Sequence, residues 1–352
     1  MELNRKISVA PMMDWTDRHC RFFLRGFSPD MLLYTEMITA AAILRGDRQR
    51  LLAHHAEEHP LALQLGGSEP KALAEAARAG EDAGYDEINL NCGCPSDRVA
   101  SGAFGACLMR EPGLVAECVA QMATRVAVPV TVKMRIGVVI PGAGTSRHAS
   151  AAFDEADFES LHAFVHNIQA AGAHAAIVHA RKAVLGGLSP KQNREVPPLR
   201  FDVVKRLKGC FPQLPVIVNG GIRTSQDALE ALGWCDGVML GREAYHRPFV
   251  LSELHRALNA QANGTPSREY LLERMAGYAE SELARGSHLA AITRHMLGLY
   301  GGQPGARDYR RLLSEGSRAA GAGPQLLRQA GRLAGGAAPL VASTQRSRII
   351  QL

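Results

Sequence analysis

Two cysteines one residue apart are the first candidates for chemistry in this chain. Cys92 and Cys94 lie in "NLNCGCPSDRV" (89–99), directly after a hydrophobic run and before Pro95. A zinc site needs a second pair of Cys or His ligands, which the neighbouring sequence lacks. A disulfide between these two positions would close a small, strained ring. One reactive thiol is therefore the favoured interpretation, although the spacing does not choose between the two cysteines.

Three further polar side chains follow hydrophobic runs. Gln64 can pair with the carbonyl and N–H edge of a flavin ring, and Lys133 can place its charge beside a reduced flavin. A lone lysine at such a position can equally form a Schiff base, as in barrel aldolases. His179 by itself is more typical of a structural histidine than of a ligand.

Two glycine-bearing loops indicate a phosphate site. They are "NGGI" (219–222) and "GRE" (241–243), and each follows a hydrophobic run. Backbone N–H groups in such loops can face an anion, and glycine lets the backbone approach it. Ordinary tight turns are the alternative interpretation.

These residues must be positioned by a repeating unit of strand, loop and helix. The predicted strands are 7–11, 31–36, 61–66, 87–92, 130–135, 175–180, 216–221 and 237–242. Eight such units predict an α/β fold, a (β/α)8 TIM barrel, in which function collects at the C-terminal ends of the strands. The absence of Gly-x-Gly-x-x-Gly after the first strand argues against a Rossmann fold. We expect polar residues at the strand ends and apolar strand interiors.

The intervening segments have helix start signals. Pro70 and Pro112 open two of them, and Thr224 is a candidate N-cap with Asp227 three residues later. After residue 250 the segments are helical without a convincing strand, and "QANGTPS" (261–267) resembles a linker. We therefore predict a barrel over residues 1–255, a small all-helical C-terminal domain over 265–335, and a poorly ordered tail over 336–352.

The net charge of +6 comes from one end of the chain. Residues 1–250 hold 27 basic and 27 acidic residues, whereas residues 251–352 hold 13 arginines, no lysine and 7 acidic residues. A solvated helical surface would explain this excess, and so would a surface that binds a polyanion. Arginine suits phosphate because its planar fork donates two hydrogen bonds at once.

Composition predicts a cytoplasmic globular protein. The seven cysteines are scattered and odd in number, which does not indicate a disulfide framework. The chain shows no apolar run long enough to cross a membrane and no signal-peptide pattern at its start. Nothing in the sequence calls for a protein partner, so we expect a monomer.

Taken together, the motifs resemble those of the tRNA-dihydrouridine synthases, A subfamily. The matching stretches, in chain order, are "APMMDWTDRHCR" (10–21), "LALQLGGSEP" (61–70), "EINLNCGCPSDRV" (87–99), "TVKMRIG" (131–137), "IVHARKA" (177–183), "GLSPKQNRE" (187–195), "VIVNGGI" (216–222) and "GVMLGREAY" (237–245). The resemblance extends over residues 7–335. It implies an FMN enzyme that uses NADPH to reduce the C5=C6 bond of D-loop uridines 20 and 20a in tRNA.

The resemblance also implies a role for each motif residue. Cys94 corresponds to the acid that protonates C5, and Cys92 becomes a packing residue. The positions that match FMN-binding residues are Pro11, Met12, Met13, Gln64, Lys133, His179, Asn219, Gly220, Gly221, Gly241 and Arg242. The positions that match tRNA-contacting residues are Asn91, which orients the target base, and Lys191, Arg194, Arg307 and Arg310. Residues 1–255 would then bind FMN, and residues 265–335 would bind tRNA.

One stretch departs from the family pattern. An insertion of about a dozen residues lies within 138–157 on the predicted active-site face, where barrel loops carry function. It can contact tRNA through Arg147 and His148, cover the flavin, or be a neutral loop.

Two other functions remain as alternatives. A free-pyrimidine flavin enzyme of the dihydroorotate-dehydrogenase kind would explain the barrel and the phosphate loops, but not the arginine-rich C-terminal region. A flavin-free lyase that uses Lys133 would yield a colourless preparation.

Overall fold

The computed structural model describes residues 3–96, 102, 104–140, 152–186, 188–259 and 264–334. The chain divides into two compact units, Met1–Thr265 and Pro266–Leu352. The proposed tail, 336–352, lies outside the described residues, as do Arg147 and His148.

Eight parallel strands form the sheet of the first unit. They are β1 (Ile7–Val9), β2 (Leu33–Thr39), β3 (Leu61–Gly66), β4 (Glu87–Cys92), β5 (Val130–Arg135), β6 (Ala175–His179), β7 (Val216–Asn219) and β8 (Gly237–Leu240). Strands β2 to β8 pair with one another in chain order, and β8 pairs with β1. A parallel bridge between Ser8 and Leu32 joins β1 to the start of the β2 region. The predicted (β/α)8 barrel is confirmed.

Helices follow the strands along the chain. They are α1 (Arg18–Arg25), α2 (Ala40–Arg45), α3 (Arg48–Leu51), α4 (Pro70–Asp82), α5 (Pro112–Arg125), α6 (Glu155–Ala170), α7 (Phe201–Cys210), α8 (Ser225–Leu232), α9 (Arg242–His246) and α10 (Phe249–Leu258). Their start signals act as expected from the sequence. Pro70 and Pro112 occupy the first turns of α4 and α5, and Thr224 and Asp227 form a capping box at α8.

The interior of the barrel combines an apolar cluster with a polar column. The cluster contains Ala10, Leu32, Tyr34, Ala62, Ala175, Ile177, Ile217 and Met239. The column contains Gln64, Glu87, Asn89 and Thr131, all at most 1% exposed. The expectation of apolar strand interiors is therefore wrong on this side of the barrel. Buried polar groups are tolerated there because they hydrogen-bond to one another.

The second unit is helical throughout its described part. Its helices are α11 (Arg268–Ala284), α12 (Leu289–Thr293), α13 (Ala306–Gly316) and α14 (Gln325–Ala334), and residues 264–334 contain no strand. Tyr309 of α13 is fully buried against Tyr300, with ring centroids 4.7 Å apart, and its hydroxyl donates to the Met296 carbonyl. Within the described ranges, no helix has both the length and the hydropathy that crossing a membrane requires.

Candidate active site

The loop after β4 holds Cys94 by its backbone. Its N–H donates to Asn91 Oδ1 at 3.0 Å, and its carbonyl accepts from the Ala106 N–H at 2.9 Å. Asn91 Oδ1 also accepts from the Gly93 N–H at 3.1 Å. The Asn91 side chain thus organises the turn that carries the thiol.

The two neighbouring thiols lie in different surroundings. Cys92 is fully buried, and its burial raises its pKa well above the usual value, with Cys118 and Cys107 nearby. Cys94 is partly exposed. Of the two thiols, Cys94 is therefore the one that a substrate can reach.

Positively charged groups surround Cys94 at the C-terminal end of β5. Lys133, Arg135 and Arg194 all lie within electrostatic range of its thiol. Burial, together with the charge of Arg135, lowers the pKa of Lys133 to about 8. Lys133 Nζ donates to Asn219 Oδ1 at 3.1 Å, which connects the ends of β5 and β7.

His179 is neutral at the end of β6. Its burial, and next the charges of Arg135 and Lys133, hold its pKa well below the ordinary value. The ring packs against Gly220 so closely that any Cβ there would collide with it. A neutral imidazole can donate from one nitrogen and accept at the other, which suits a cofactor's polar edge.

The two glycine loops differ in conformation. Gly220 and Gly221 have φ values of +99° and +75°, which favour glycine, whereas Gly241 has a φ of −108°. A Cβ on Gly241 would have no neighbouring atom closer than 3.9 Å. Arg242, the first residue of α9, is exposed and pairs with Glu195 at 2.7 Å. The loop after β7 therefore requires glycine, whereas the loop after β8 leaves space beside Gly241.

The remaining expected cofactor residues follow β1 or, in the case of Gln64, lie within β3 at the upper end of the polar column. Gln64 of β3 accepts from Asn91 Nδ2 at 2.8 Å. Pro11, Met12 and Met13 follow β1, where the Met12 carbonyl accepts from the Thr16 N–H, and Met13 is 56% exposed. The barrel therefore places polar groups from β3, β4, β5, β6 and β7 around its mouth, and an exposed apolar side chain follows β1.

Comparison with known proteins identifies the family. A model described as "Dihydrouridine synthase (Dus)" matches residues 8–334. The chain is 54% identical over 325 residues to the tRNA-dihydrouridine(20/20a) synthase of Xanthomonas axonopodis pv. citri, covering 92% of each chain. The corresponding enzyme of Synechocystis is 52% identical over 325 residues, covering 92% of this chain and 93% of that one. That of Vibrio cholerae is 48% identical over 326 residues, covering 92% and 95%.

The chain belongs to the dihydrouridine synthase family.

The resemblance seen in the sequence is thus confirmed. Membership of the dihydrouridine synthase family favours an oxidoreductase over the lyase that would use Lys133. It also favours that family's reaction over the chemistry of a free-pyrimidine enzyme. The roles of single residues stay predictions.

The polar strand-end residues expected from the sequence include Arg135, for which the motifs imply no role. Its guanidinium is 2% exposed and donates to the carbonyls of Gly93, Lys182 and Asn193 at 2.9, 3.1 and 3.0 Å. It therefore connects the Cys94 loop of this dihydrouridine synthase family member to the segment that holds Lys191 and Arg194. A signal was present, because Arg135 follows Lys133 by two residues and so shares its inward face.

Asn193 anchors the segment between the two expected tRNA contacts. It is fully buried, its amide donates to the carbonyls of Val184 and Leu188, and its oxygen accepts from the Val184 N–H. Lys191 and Arg194 on either side of it are exposed. Val184 belongs to a small two-stranded parallel sheet, Val138–Val139 with Ala183–Val184.

The other two expected tRNA contacts lie in the helical unit. Arg307 and Arg310 are exposed on α13, three residues apart and therefore on one face of the helix. The buried face of α13 is formed by Ala306, Tyr309 and Leu313.

The insertion is only partly described. Its last residues, from 152, are tied to the barrel, since Lys182 Nζ contacts the Ala152 carbonyl and the Asp157 carboxylate at 2.6 and 2.5 Å. Asp154 and Asp157 form the capping box of α6.

Proposed function

We propose that this protein reduces the C5=C6 bond of uridines 20 and 20a in the D-loop of tRNA to 5,6-dihydrouridine. Bound FMN would carry the hydride, and NADPH would reduce the flavin. The observation that carries the proposal is the accessible Cys94 thiol, which Asn91 holds beside Lys133 and Arg135 at the barrel mouth. The printed names of the relatives support the choice of substrate.

The residues at the mouth suit FMN chemically. Lys133 supplies a cation for an electron-rich ring, and Gln64 and neutral His179 supply polar groups for its edge. Gly220 and Gly221 have the left-handed backbone that lets N–H groups approach an anion, and Arg242 would have to leave Glu195 to contact a phosphate. The proposed FMN-binding set is completed by Asn219, Gly241, Pro11, Met12 and Met13.

When bound, FMN would supply the hydride for C6 of the uracil. Cys94 donates the proton that C5 needs, so that one hydride and one proton together saturate the double bond. This role requires a thiol that is protonated at neutral pH and open to the substrate. Cys92 holds its proton but is sealed in the core.

Recognition of tRNA would use both charge and shape. Lys191, Arg194, Arg307 and Arg310 would contact phosphates and position the RNA. The target base must leave its stack to reach the barrel mouth. The Asn91 amide has two N–H groups, and only one of them donates to Gln64. The other can donate to the target base. We expect the enzyme to act in the cytoplasm as a monomer.

Mapping dihydrouridine in tRNA from a strain that lacks this gene tests the proposal. We expect loss of the modification at positions 20 and 20a, with restoration by the unaltered gene and not by a Cys94→Ala copy. Unchanged modification at both positions in the deletion strain would refute the assigned substrate.

A further inference from the structure

A chain of hydrogen bonds runs through the barrel interior and begins at a buried carboxylate. Glu87 is 0% exposed. Its Oε2 accepts from Arg5 Nε at 2.7 Å, and its Oε1 accepts from the hydroxyls of Tyr34 and Thr131, both at 2.6 Å. Arg5 supplies the compensating charge that a buried carboxylate needs.

From Thr131 the chain continues towards the mouth through side-chain amides. Asn89 Nδ2 donates to Thr131 Oγ1 at 2.9 Å, and Gln64 Nε2 donates to Asn89 Oδ1 at 2.8 Å. Asn91 Nδ2 donates to Gln64 Oε1 at 2.8 Å, and Asn91 Oδ1 accepts from the Cys94 N–H. The chain thus connects the barrel interior to the loop of the reactive thiol.

The direction of every bond in this chain follows from its two ends. An ionised carboxylate can only accept, so Thr131 must donate its hydrogen to Glu87 and can only accept from Asn89. The backbone N–H of Cys94 can only donate, so Asn91 must turn its oxygen towards the loop. Both constraints require the same orientation of all three amides, because flipping any one of them would set donor against donor.

We propose that Glu87 is a positioning residue of the active site, acting through Thr131 and Asn89. It fixes the amide orientations of Gln64 and Asn91, and thereby the backbone of the Cys94 loop. The orientation leaves the Gln64 oxygen on the side of Asn91, towards the mouth, as an acceptor. The link to catalysis rests on the proposed function, whereas the mechanical coupling does not.

Substitution of Thr131 tests whether the hydroxyl couples Glu87 to the Cys94 loop or whether Thr131 only packs. The two hypotheses predict opposite results. Thr131→Val keeps the side-chain volume and removes the hydroxyl, whereas Thr131→Ser keeps the hydroxyl and removes a methyl group. Tyr34→Phe is the matched control, since it also takes one donor from Glu87 Oε1 but leaves the path to Asn91 intact. The readout is amide hydrogen exchange of the peptide that contains Gly93 and Cys94, measured by mass spectrometry on the FMN-free full chain.

We expect Thr131→Val to speed exchange at Gly93 and Cys94 by about 10-fold, the effect of weakening one buried hydrogen bond. Thr131→Ser and Tyr34→Phe should stay within about twofold of the unaltered protein, as expected if the path to Asn91 is intact. Equal exchange in the valine and serine variants would overturn the proposal, and so would faster exchange in the serine variant alone. If the valine variant does not fold, Thr131→Cys takes its place, because a thiol is a weak donor and acceptor.

The result is independent of the substrate. Suppose that Thr131→Val loses protection at Gly93 and Cys94 while the deletion strain still modifies its tRNA normally. The coupling would then stand, and the proposed function would be refuted. Unchanged protection, combined with loss of dihydrouridine in the deletion strain, would refute the coupling alone.

Discussion

At the scale of single residues, the two thiols of the C-x-C motif differ only in what surrounds them. Cys92 lies on β4 with its side chain buried, and burial raises its pKa well above the usual value. Cys94 lies beyond the strand, partly exposed, on a turn that Asn91 holds. A buried thiol has no route to a substrate, whereas a substrate can reach a partly exposed one.

Replacing each cysteine by alanine should therefore separate their roles. We expect Cys94→Ala to lose dihydrouridine formation by about 100-fold or more, the usual contribution of a general acid, while it still binds FMN. Cys92→Ala should remain active and lose only about 1 kcal/mol of stability through its small cavity. Activity on tRNA, flavin absorbance and urea unfolding are the measurements. Equal loss of activity in both variants would contradict the assignment of Cys94.

The lowered pKa of Lys133 predicts a pH dependence of cofactor binding. Without a ligand its amine loses its proton as the pH rises through about 8. An anionic ligand such as FMN favours the charged amine, so its affinity should fall as the pH rises through this range. We expect a decrease of about 10-fold between pH 7 and pH 9, measured by quenching of flavin fluorescence.

Lys133→Met is the control for this titration. It should bind FMN more weakly at pH 7 and show little change up to pH 9. The free energy of unfolding changes in the opposite direction and rises with pH. The reason is that the unfolded chain holds more protons than the folded one between pH 8 and the ordinary lysine pKa. Stability that this lysine costs at neutral pH is thus recovered as the pH rises. An unaltered pH dependence in the methionine variant would assign the effect to another group.

At the scale of elements, side chains at strand ends fix the positions of the loops that carry the proposed site residues. Arg135 at the end of β5 donates to the Gly93 and Asn193 carbonyls at 2.9 and 3.0 Å, so one side chain connects two loops that carry proposed site residues. Asn193 in turn holds its own loop through three hydrogen bonds. Such buried side-chain-to-backbone contacts give an irregular loop a defined shape.

Asn193→Ala should weaken tRNA binding indirectly, because Asn193 holds the segment that carries Lys191 and Arg194. Loss of its three hydrogen bonds is expected to cost about 2 kcal/mol of stability and to leave Lys191 and Arg194 poorly placed. We predict a raised KM for tRNA with FMN affinity retained, from steady-state kinetics and flavin titration. Gln192→Ala is the neighbouring control, because the exposed Gln192 side chain makes one hydrogen bond in this segment, from the Ser189 N–H, where Asn193 makes three. A similar KM in the two variants would show that the anchor has no part in binding.

At the scale of the whole molecule, charge and chemistry are divided along the chain. Residues 1–250 are electrically neutral and contain the candidate active site, whereas the surplus of six positive charges comes from residues 251–352. Arg307 and Arg310 are exposed on α13, and the core of that unit is formed by residues such as Tyr309. Such a division would allow changes in RNA affinity without changes at the proposed flavin site.

Arg307→Ala combined with Arg310→Ala should weaken tRNA binding about 10-fold, and the slope of log K against log salt should become shallower by about 1.5, as for two lost phosphate contacts. NADPH oxidation should be unchanged. Arg318→Ala combined with Arg332→Ala removes the same charge from the same unit and is the matched control. Equal effects of the two pairs would indicate a general effect of charge and no specific contact.

Much of this molecule could be predicted from local signals. The eight strands, the caps at Pro70, Pro112 and Thr224, and the helical C-terminal region follow from hydrophobic runs and start residues. The clustering of strand-end residues follows from the barrel alone, because parallel strands all end at one face. The role of Arg135 could not be predicted, because its partners are backbone carbonyls of distant loops, which no local pattern encodes. Asn193 was not predicted because its partners, five and nine residues away, lie in a segment without a periodic pattern.

The amino-acid sequence by itself determined the family, the barrel and the set of side chains at its mouth, since these depend on residue types and their order. The tertiary structure decided which of two adjacent thiols is accessible and revealed polar residues inside the barrel. Exposure depends on every neighbour that packs around a side chain. The hydrogen bonds of the polar column and its partners Tyr34 and Arg5 join residues from four strands and the N-terminal segment, which only the closed fold brings together.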